Sequence, residues 1–523
     1  MAWLPFRFSG YAPDLPADAL PAELWSYLEN AQTRDGIAER AIGDNDKITT
    51  SSPICRWEAG VPCNTTLGVS GLVYGGNSGL TTYASGTARV GTFYVGLGHV
   101  DITPGAWAAT PVPVPNRWTG GPFSTGVLFN CVTHDPIWVS EASIVTVLTA
   151  TNFNALRPYK YMAIGIGDKT LAGAENTVRW SASVVPGSPP NTWAPAAAND
   201  AGDFDLSAGG YGQLLDGGRC GEDFIIYGEN TTHLMTYVGG AAVMASRTLA
   251  ASSGIMARNC WADIGGAHVV LTKDDVVLMG RQGIIKSIAD NRIRRTLFDG
   301  LYSTNNQQAS SQVWYDRVRG RVYVCTSRVA DTSEAALTTA AVYELATDTW
   351  SSRRLVNTGS AASDDIASVQ GATMASLEDA AAGVGQPRTV IFGRGLNNGA
   401  LSGADCHFLD SNAVRSSKAA QTLMQKDDLD LGDASRLKVV TGFRLRGTAD
   451  STVTLKISVG VKNAATEAYT YSVEGDWVLP TSQFLPFLVT GRWVSVKIRC
   501  VADTNVQYRI HGFDLQAEVG GAW

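Results

Sequence analysis

Histidine, the side chain that most often serves as a general base, occurs six times in the 523 residues. The six are His99, His134, His233, His268, His407 and His511. None stands in an HExxH sequence or an HxH pair, the spacings at which neighbouring imidazoles hold zinc. Each is therefore interpreted as a solvated or hydrogen-bonded strand residue, and no metal ligand is predicted.

Paired carboxylates are the next chemistry to consider, because glycoside hydrolases place two acids on either side of the bond they cleave. Acidic clusters occur at Asp200, Asp203 and Asp205; at Asp274 and Asp275; at Asp364 and Asp365; and at Asp427, Asp428, Asp430 and Asp433. All lie where turns are expected, and aspartate is favoured in turns because its carboxylate accepts hydrogen bonds from nearby amides. The preferred prediction is that the chain is not an enzyme, with a glycan hydrolase kept as the third alternative.

Glycine-rich segments can bind phosphates through their backbone amides. Two candidate segments occur, residues 164–167 (IGIG) and 393–399 (GRGLNNG). Both lack the Lys-Ser/Thr ending of a phosphate-binding loop and the strand-to-helix context of a dinucleotide site. They are interpreted as turns. No catalytic residue, no cofactor-binding residue and no cofactor is predicted.

Basic residues crowd one part of the chain. They are Arg281, Lys286, Arg292, Arg294, Arg295, Arg317, Arg319 and Arg321. If this part is strand, residues two apart share a face and could form a patch that touches DNA. Ion pairs within the chain or to a neighbouring subunit are the other hypothesis, because no aromatic residue lies among the arginines at 292–295 for base stacking. The net charge of −7 also argues against a nonspecific DNA-binding surface.

The elements that would position these residues are indicated by composition. Fifty-five glycines, 14 tryptophans and 17 tyrosines against 17% charged residues favour many short strands joined by tight turns. Eight cysteines without a CxxC pair are interpreted as buried free thiols. No stretch has the roughly 18 apolar residues of a membrane helix, and the first residues lack the apolar core of a signal peptide. A soluble chain without a leader or stable membrane insertion is expected.

The predicted fold class is all-β. The pattern of strand and turn residues changes three times along the chain, which indicates four regions. The four regions are an N-terminal arm that contributes to the propeller (residues 1–57), a β-rich insertion (58–133), a β-propeller (134–416) and a C-terminal β-sandwich (417–523). Within the arm, Leu24, Trp25 and Leu28 are spaced to face one side of a short helix over residues 21–31.

The segment at 58–133 is unusual because, after Glu58, only Arg89, Asp101 and Arg117 are charged. One interpretation is a loosely decorated β insertion. The other is a surface covered by a neighbouring subunit, since interface cores are depleted of charge. Its many glycines also make it the candidate for a mobile gate.

Short strands separated by glycine or Asp/Asn turns every 8 to 12 residues or so indicate the propeller. The predicted strands include residues 143–149, 161–165, 223–227, 233–237, 268–272, 276–279, 321–326, 341–345 and 389–392. Further alternating segments at 453–459, 476–479, 491–501 and 508–519 indicate the C-terminal sandwich.

Three stretches carry a family resemblance. The first stretch, residues 20–40, combines Leu-Pro and Trp-Ser with an Asp35-Gly36 turn. The second, residues 177–206, has a strand at Arg179-Trp180-Ser181, followed by a loop with Trp193 and an acidic run. In the third, residues 276–299, a strand ends on Gly280 and a turn follows at Gly283. Together they resemble the propeller-type tail proteins of bacteriophages, especially the nozzle (tail tubular protein B) family. The similarity covers roughly residues 14–43 and 135–410.

The resemblance implies a structural protein of the virion. Its subunits would form a homo-oligomeric ring below the portal, with six subunits expected. The ring would extend the DNA channel, retain the packaged genome and allow its ejection. Its partners would be tail adaptor and portal-proximal proteins, tail fibre or spike proteins and, transiently, genomic DNA. The chain would be assembled in the host cytoplasm. A receptor- or glycan-binding propeller on the tail is the runner-up. Because a channel must not hold DNA tightly, arginines 292, 294, 295, 317, 319 and 321 are expected mainly in acid pairs or subunit contacts.

Overall fold

The computed structural model of the protein shows an architecture that is almost entirely β-strand. It describes residues 2–41, 46–47, 54–78, 86–107, 118–170, 172–207, 212–299, 301, 309–326, 337–355, 366–375, 377, 387–397, 400–409, 421–500 and 506–522. Within these residues there is a single α-helix. The predicted all-β class is confirmed.

The N-terminal residues up to Lys47, here called the arm, form short strands instead of a helix. The strands are β1 (Ala2–Phe6), β2 (Gly10–Tyr11), β3 (Leu24–Trp25), β4 (Tyr27–Glu29), β5 (Ala31–Arg34), β6 (Ile37–Arg40) and β7 (Asp46–Lys47). The helix predicted over residues 21–31 is wrong. Leu24, Trp25 and Leu28 have helical spacing, but β4 pairs with residues 423–425, a partner that no local pattern reveals. The Asp35-Gly36 hairpin turn is confirmed, with φ values of +50° and +73° between β5 and β6.

Seven antiparallel blades of four strands follow the arm. Blade 1 holds β8 (Arg56–Asn64), β9 (Ser70–Asn77), β10 (Ala88–Tyr94) and β11 (Gly98–Asp101); blade 2 holds β12 (Trp118–Phe123), β13 (Gly126–Cys131), β14 (Ile137–Val139) and β15 (Val145–Val147). Blade 3 holds β16 (Phe153–Tyr159), β17 (Met162–Asp168), β18 (Thr177–Trp180) and β19 (Gly202–Asp205); blade 4 holds β20 (Leu214–Cys220), β21 (Asp223–Gly228), β22 (Thr232–Gly239) and β23 (Val243–Ala250). Blade 5 holds β24 (Trp261–Asp263), β25 (His268–Leu271), β26 (Val276–Gly280) and β27 (Gly283–Ser287); blade 6 holds β28 (Gln312–Asp316), β29 (Arg321–Cys325), β30 (Thr339–Glu344) and β31 (Thr349–Arg354). Blade 7 holds β32 (Ile366–Ala375), β33 (Arg388–Asn397), β34 (Ala400–Phe408) and, from the arm, β7.

The blades close into one ring, which makes the chain a seven-bladed β-propeller. The first strand of each blade contacts the first strand of the next, and β32 of blade 7 contacts β8 of blade 1. Closure also joins the two ends of the propeller sequence, because β7 of the arm is the outer strand of blade 7, where Lys47 pairs with His407 of β34. The predicted propeller is thus confirmed, and all nine strands predicted for it are present at or within two residues of their expected starts.

The predicted division at residue 133 is wrong. Residues 58–133 are β-rich as expected, but they form blade 1 and the first half of blade 2, and the boundary cuts the sheet between β13 and β14. The low charge of this segment has a simple cause, since seven of the eight residues of β9 are buried. The mobile gate expected within 58–133 stays a prediction, and the described residues of this segment are largely strands with buried side chains.

The only α-helix of the described residues, α1 (Asp290–Phe298), connects blade 5 to blade 6. Ile293 and Leu297 are its buried residues, one turn apart. The suggestion that Arg292 and Arg294 share the face of a strand is therefore wrong. Asp14 of the arm binds the helix, accepting hydrogen bonds from the backbone amide and the hydroxyl of Thr296 at 2.8 and 2.6 Å.

The C-terminal strands form the predicted β-sandwich, but the arm completes it. Its own strands are β35 (Thr422–Leu429), β36 (Arg436–Ala449), β37 (Val453–Lys462), β38 (Thr470–Tyr471), β39 (Gly475–Leu479), β40 (Leu485–Gly491), β41 (Trp493–Cys500) and β42 (Tyr508–Ala522). One sheet adds β4 beside β35, and the other adds β1 and β6 beside β42. This second sheet continues through β5 into blade 6, where Ala31 pairs with Ser352. The sandwich is thus built from both ends of the chain.

Candidate functional site

The histidines serve as hydrogen-bonding groups of the fold. Four contact side-chain hydroxyls: His99 with Tyr74, His134 with Thr133, His233 with Thr231, and His268 with Tyr227. His407 is buried in β34, and His511 is exposed on β42. Among the described residues, no group of three or more His, Cys, Asp or Glu side chains is arranged to hold a metal ion.

The acidic clusters are only partly at turns: Asp203 and Asp205 lie in β19 and Asp427 and Asp428 in β35, but most of the carboxylates accept local hydrogen bonds as expected. Asp200 accepts from the Ser183 amide, Asp205 from the Ser207 amide, Asp274 from the Thr272 hydroxyl, Asp275 from the Val276 amide, Asp430 from the Gly432 amide and Asp433 from the Ser435 amide. Asp203 is exposed on β19, while Asp427 and Asp428 bind neighbouring side chains of the sandwich. Asp364 and Asp365 lie outside the described residues. The glycine segment 164–167 is part of β17 rather than a turn, and 393–397 belongs to β33.

Most of the crowded basic residues form ion pairs within the chain. The pairs are Arg281–Asp223, Lys286–Asp348, Arg292–Asp348, Arg294–Asp275, Arg295–Asp299, Arg319–Asp316 and Arg321–Glu344. The expectation of acid pairs is confirmed for these residues. Arg317 differs, because it is exposed and makes no ion pair within the part of the chain that the structure describes. These pairs reduce the charge available for DNA phosphates.

At the propeller axis, a partly buried arginine contacts groups of four blades. Arg157 of β16 binds both carboxylate oxygens of Asp216, with Nε–Oδ1 and Nη2–Oδ2 distances of 2.8 and 2.7 Å. It also donates to the Gly120 carbonyl at 3.1 Å and to the Asn259 side-chain oxygen at 2.6 Å. Burial alone would raise the pKa of the Asp216 carboxyl, but the charge and hydrogen bonds of Arg157, with the amides of Asn259 and Gly217, hold that pKa below its ordinary value.

The same network crosses the axis. Asn259, which precedes β24 of blade 5, donates from Nδ2 to the Trp118 carbonyl of blade 2 at 3.0 Å. Its own carbonyl accepts from the Val313 amide of blade 6 at 2.8 Å. Blades 2 and 5 lie on opposite sides of a seven-bladed ring, so a contact between them closes the axis at this level. No DNA duplex can pass along the axis of this propeller.

The cysteines are free thiols, as predicted, and seven of the eight are buried. Burial raises the pKa of Cys220 and of Cys63 to about 11. A raised pKa keeps a thiol protonated near neutral pH and therefore a poor nucleophile. These two thiols thus act as small packing groups rather than as reactive centres.

One face of the propeller exposes apolar side chains at its turns. In an antiparallel four-stranded blade, the turn between the first two strands and the turn between the last two lie at the same edge; the face that they form is here called the hairpin face. Exposed apolar residues at these connections are Leu67, Leu97, Ile144, Tyr161, Val185, Val238 and Val318. They come from blades 1, 2, 3, 4 and 6. Other exposed apolar side chains, such as Val473 and Leu488, lie on the sandwich.

A cleft of about 550 Å³ opens on the hairpin face between blades 4, 5 and 6. Its lining is formed by Arg219 and Gly221 of blade 4; by Asp263, Ile264, Gly265 and Gly266 of blade 5; and by Tyr315 and Arg317 of blade 6. The lining thus carries two guanidinium groups and one carboxylate. Its volume falls within the roughly 300–1,000 Å³ of small-molecule sites.

Sequence reasoning missed both polar sites almost entirely. Arg157, Asp216 and Asn259 are far apart in the chain, and each looks like an ordinary strand or turn residue. In the cleft, only Arg317 belonged to the basic stretch that was singled out. No periodicity signals such sites, because the propeller alone brings successive blades side by side.

No known protein-family model and no curated protein matches the chain. Similar solved structures include the Pan2 WD40 domain of Neurospora crassa (8% identity, 72% of this chain and 91% of that one, TM-score 0.34). BBS1N in complex with ARL6DN (10% identity, 70% and 98%, TM-score 0.38) and Sqt1 of Saccharomyces cerevisiae (7% identity, 70% and 99%, TM-score 0.36) are also similar. The seven-bladed assignment rests on the strand topology of this chain. Among the described residues, no helix has both the length and the apolar character to span a membrane.

Proposed function

We propose that the chain is a structural subunit of a bacteriophage tail, similar to the nozzle family, which assembles into a ring around the DNA path. In that role it extends the channel, retains the packaged genome and opens for ejection. Six subunits per ring, contacts with tail adaptor, portal-proximal and fibre or spike proteins, and a location in the virion follow from the resemblance and belong to this proposal.

The observation that carries the proposal is the local structure of the three stretches that resemble the nozzle family. Asp35-Gly36 forms the tight hairpin turn of the first stretch. In the second, residues 177–180 form β18, and the loop after it buries Trp193 against Phe153. In the third, β26 ends on Gly280 and the chain turns at Gly283, whose φ is +114°. The turn residues quoted for the resemblance thus stand at turns in the fold.

Two further observations agree with a ring of subunits. Because the axis of a single propeller is closed by Asn259 and Trp118, a channel for duplex DNA must lie between subunits. Arginines already paired with acids add little affinity for phosphate, which suits a channel through which DNA slides. The apolar turns of the hairpin face offer a surface for contact between subunits or with another tail protein.

Electron microscopy of the purified chain at high concentration tests the proposal. We expect closed rings with a central opening wide enough for duplex DNA. A double substitution on the hairpin face, Leu67→Asp with Leu97→Asp, should reduce the fraction of rings. Val473→Asp is the control, because Val473 is as exposed as Leu67 but lies on the sandwich. A chain that remains monomeric at all concentrations, or that forms rings with no central opening, would contradict the proposal.

A further inference from the structure

We propose that the cleft between blades 4, 5 and 6 binds a carboxylated sugar, such as a uronate or a sialate. Every residue of the cleft belongs to one chain, so binding is tested on the single chain and its outcome is separate from that of the ring experiment. It rests on the polar groups of the cleft that the fold leaves without partners, on their chemistry and on the size of the space they enclose.

The cationic groups of the cleft are available to a ligand. Arg317 is exposed and has no hydrogen-bond or ion-pair partner among the described residues, although its neighbours Arg319 and Arg321 are both paired. Arg219 is already ion-paired with Glu222 through Nη2, at 3.3 Å, and donates from Nε to the Gly221 carbonyl, so only its Nη1 lacks a partner in the described part of the chain. Guanidinium groups bind carboxylates through charge-assisted hydrogen bonds. The cleft therefore suits a ligand that carries a carboxylate.

The rest of the lining can bind hydroxyl groups and an apolar surface of a ligand. Asp263 uses Oδ1 to accept the amides of Gly265 and Gly266, so Oδ2 can accept hydrogen bonds from a ligand. The phenol of Tyr315 can both donate and accept. Ile264 and the ring of Tyr315 provide apolar surface beside these groups. A sugar ring supplies hydroxyl donors and an apolar face together.

Other anions fit this lining less well. A glutamate or aspartate side chain has a carboxylate but no hydroxyl group to donate to Asp263. Inorganic phosphate would fill only a small part of about 550 Å³. Nucleic acid would require several cations along a groove, whereas the carboxylate of Asp263 here opposes two guanidinium groups. A carboxylated sugar satisfies the cationic, the hydroxyl-accepting and the apolar parts of the lining at once.

Calorimetric titration of the intact protein tests the inference with defined probes. The carboxylated sugars are hyaluronan tetrasaccharide, tetragalacturonate and sialyllactose; the neutral sugars are chitotetraose and lactose; and the other anions are inorganic phosphate and a hexaglutamate peptide. We expect at least one carboxylated sugar to bind roughly tenfold more tightly than the neutral sugars and the other anions, because one charge-assisted hydrogen bond is worth about that factor.

Substitutions then locate the binding. Arg317→Ala and Arg219→Ala should each weaken binding of that sugar roughly tenfold without lowering the melting temperature, since both side chains are exposed. Arg7→Ala is the matched control, because Arg7 is an exposed arginine of the arm outside the cleft, and it should bind like the unaltered protein. The inference is overturned if no carboxylated sugar binds, if hexaglutamate or phosphate binds as tightly, or if Arg7→Ala weakens binding as much as Arg317→Ala.

Discussion

At the scale of single residues, Asp216 carries a buried negative charge that the fold must compensate. It is fully buried and binds Arg157, the Asn259 amide and the Trp261 indole nitrogen. Replacing it by asparagine keeps the size but leaves Arg157 without its counter-charge, which costs about 3–5 kcal/mol of the free energy of unfolding. Urea denaturation of Asp216→Asn measures this. Asp203→Asn, at an exposed position of β19, is the control and should change stability by less than about 0.5 kcal/mol. Equal effects of the two substitutions would refute the role given to the network.

A second prediction for single residues concerns acid sensitivity. His268 is buried, and its Nε2 faces the Arg219 carbonyl at 2.7 Å, so this nitrogen carries the proton and Nδ1 accepts from Tyr227. Burial lowers the pKa of His268 below its ordinary value of 6.5. Just below pH 6.5 the unfolded chain therefore binds more protons than the folded one, and the free energy of unfolding falls as the pH falls. We expect denaturation at pH 7.5 and 5.5 to show this loss, and a smaller loss in His268→Gln. An unchanged difference in that variant would exclude His268 as the cause.

At the scale of elements, Lys426 of β35 fastens the arm to the sandwich. It is almost completely buried, and its Nζ donates to the carbonyls of Pro21 and Leu24 at 2.6 and 2.8 Å. Burial lowers the pKa of its amine to about 8. In Lys426→Met these carbonyls lose their donor, so we expect a loss of about 2–4 kcal/mol and faster proteolysis within the arm.

Two measurements check this expectation: the free energy of unfolding and the rate of limited proteolysis. Lys273→Met, which removes an exposed lysine of blade 5, is the control and should leave both unchanged. If the arm of Lys426→Met resists protease as well as that of the control, Lys426 does not hold it in place.

At the scale of the whole molecule, the propeller and the sandwich should unfold together. A single apolar cluster contains Tyr227, Val324 and Trp350 of the blades as well as Phe443 and Trp477 of the sandwich. The arm adds strands to the sandwich and, through β7, to blade 7. Loss of either part thus exposes the core of the other. We expect one calorimetric transition, with the same midpoint by far-UV circular dichroism and by tryptophan fluorescence. Two separated transitions would show that the two parts are independent.

The sequence by itself determined the fold class and most strands, because alternation and turn residues act locally. Asp35 and Gly36 are an example, since their turn needs only the positive φ values that these residues tolerate. It also indicated the local hydrogen bonds of most of the acids and the burial of the thiols. These properties depend on neighbours within a few residues.

Three features could be seen only in the tertiary structure. They are the number of blades, the position of residues 58–133 within the propeller, and the contribution of the arm's strands to both the sandwich and blade 7. The tertiary structure also decided that residues 24–34 are strands, because β4 is held by a partner nearly 400 residues away. The tertiary structure also determines two side-chain arrangements. Arg157 pairs with Asp216, and one cleft is lined by Arg219, Asp263 and Arg317. In each case the stabilising contact joins residues distant in the chain, and such contacts leave no periodic trace in the sequence.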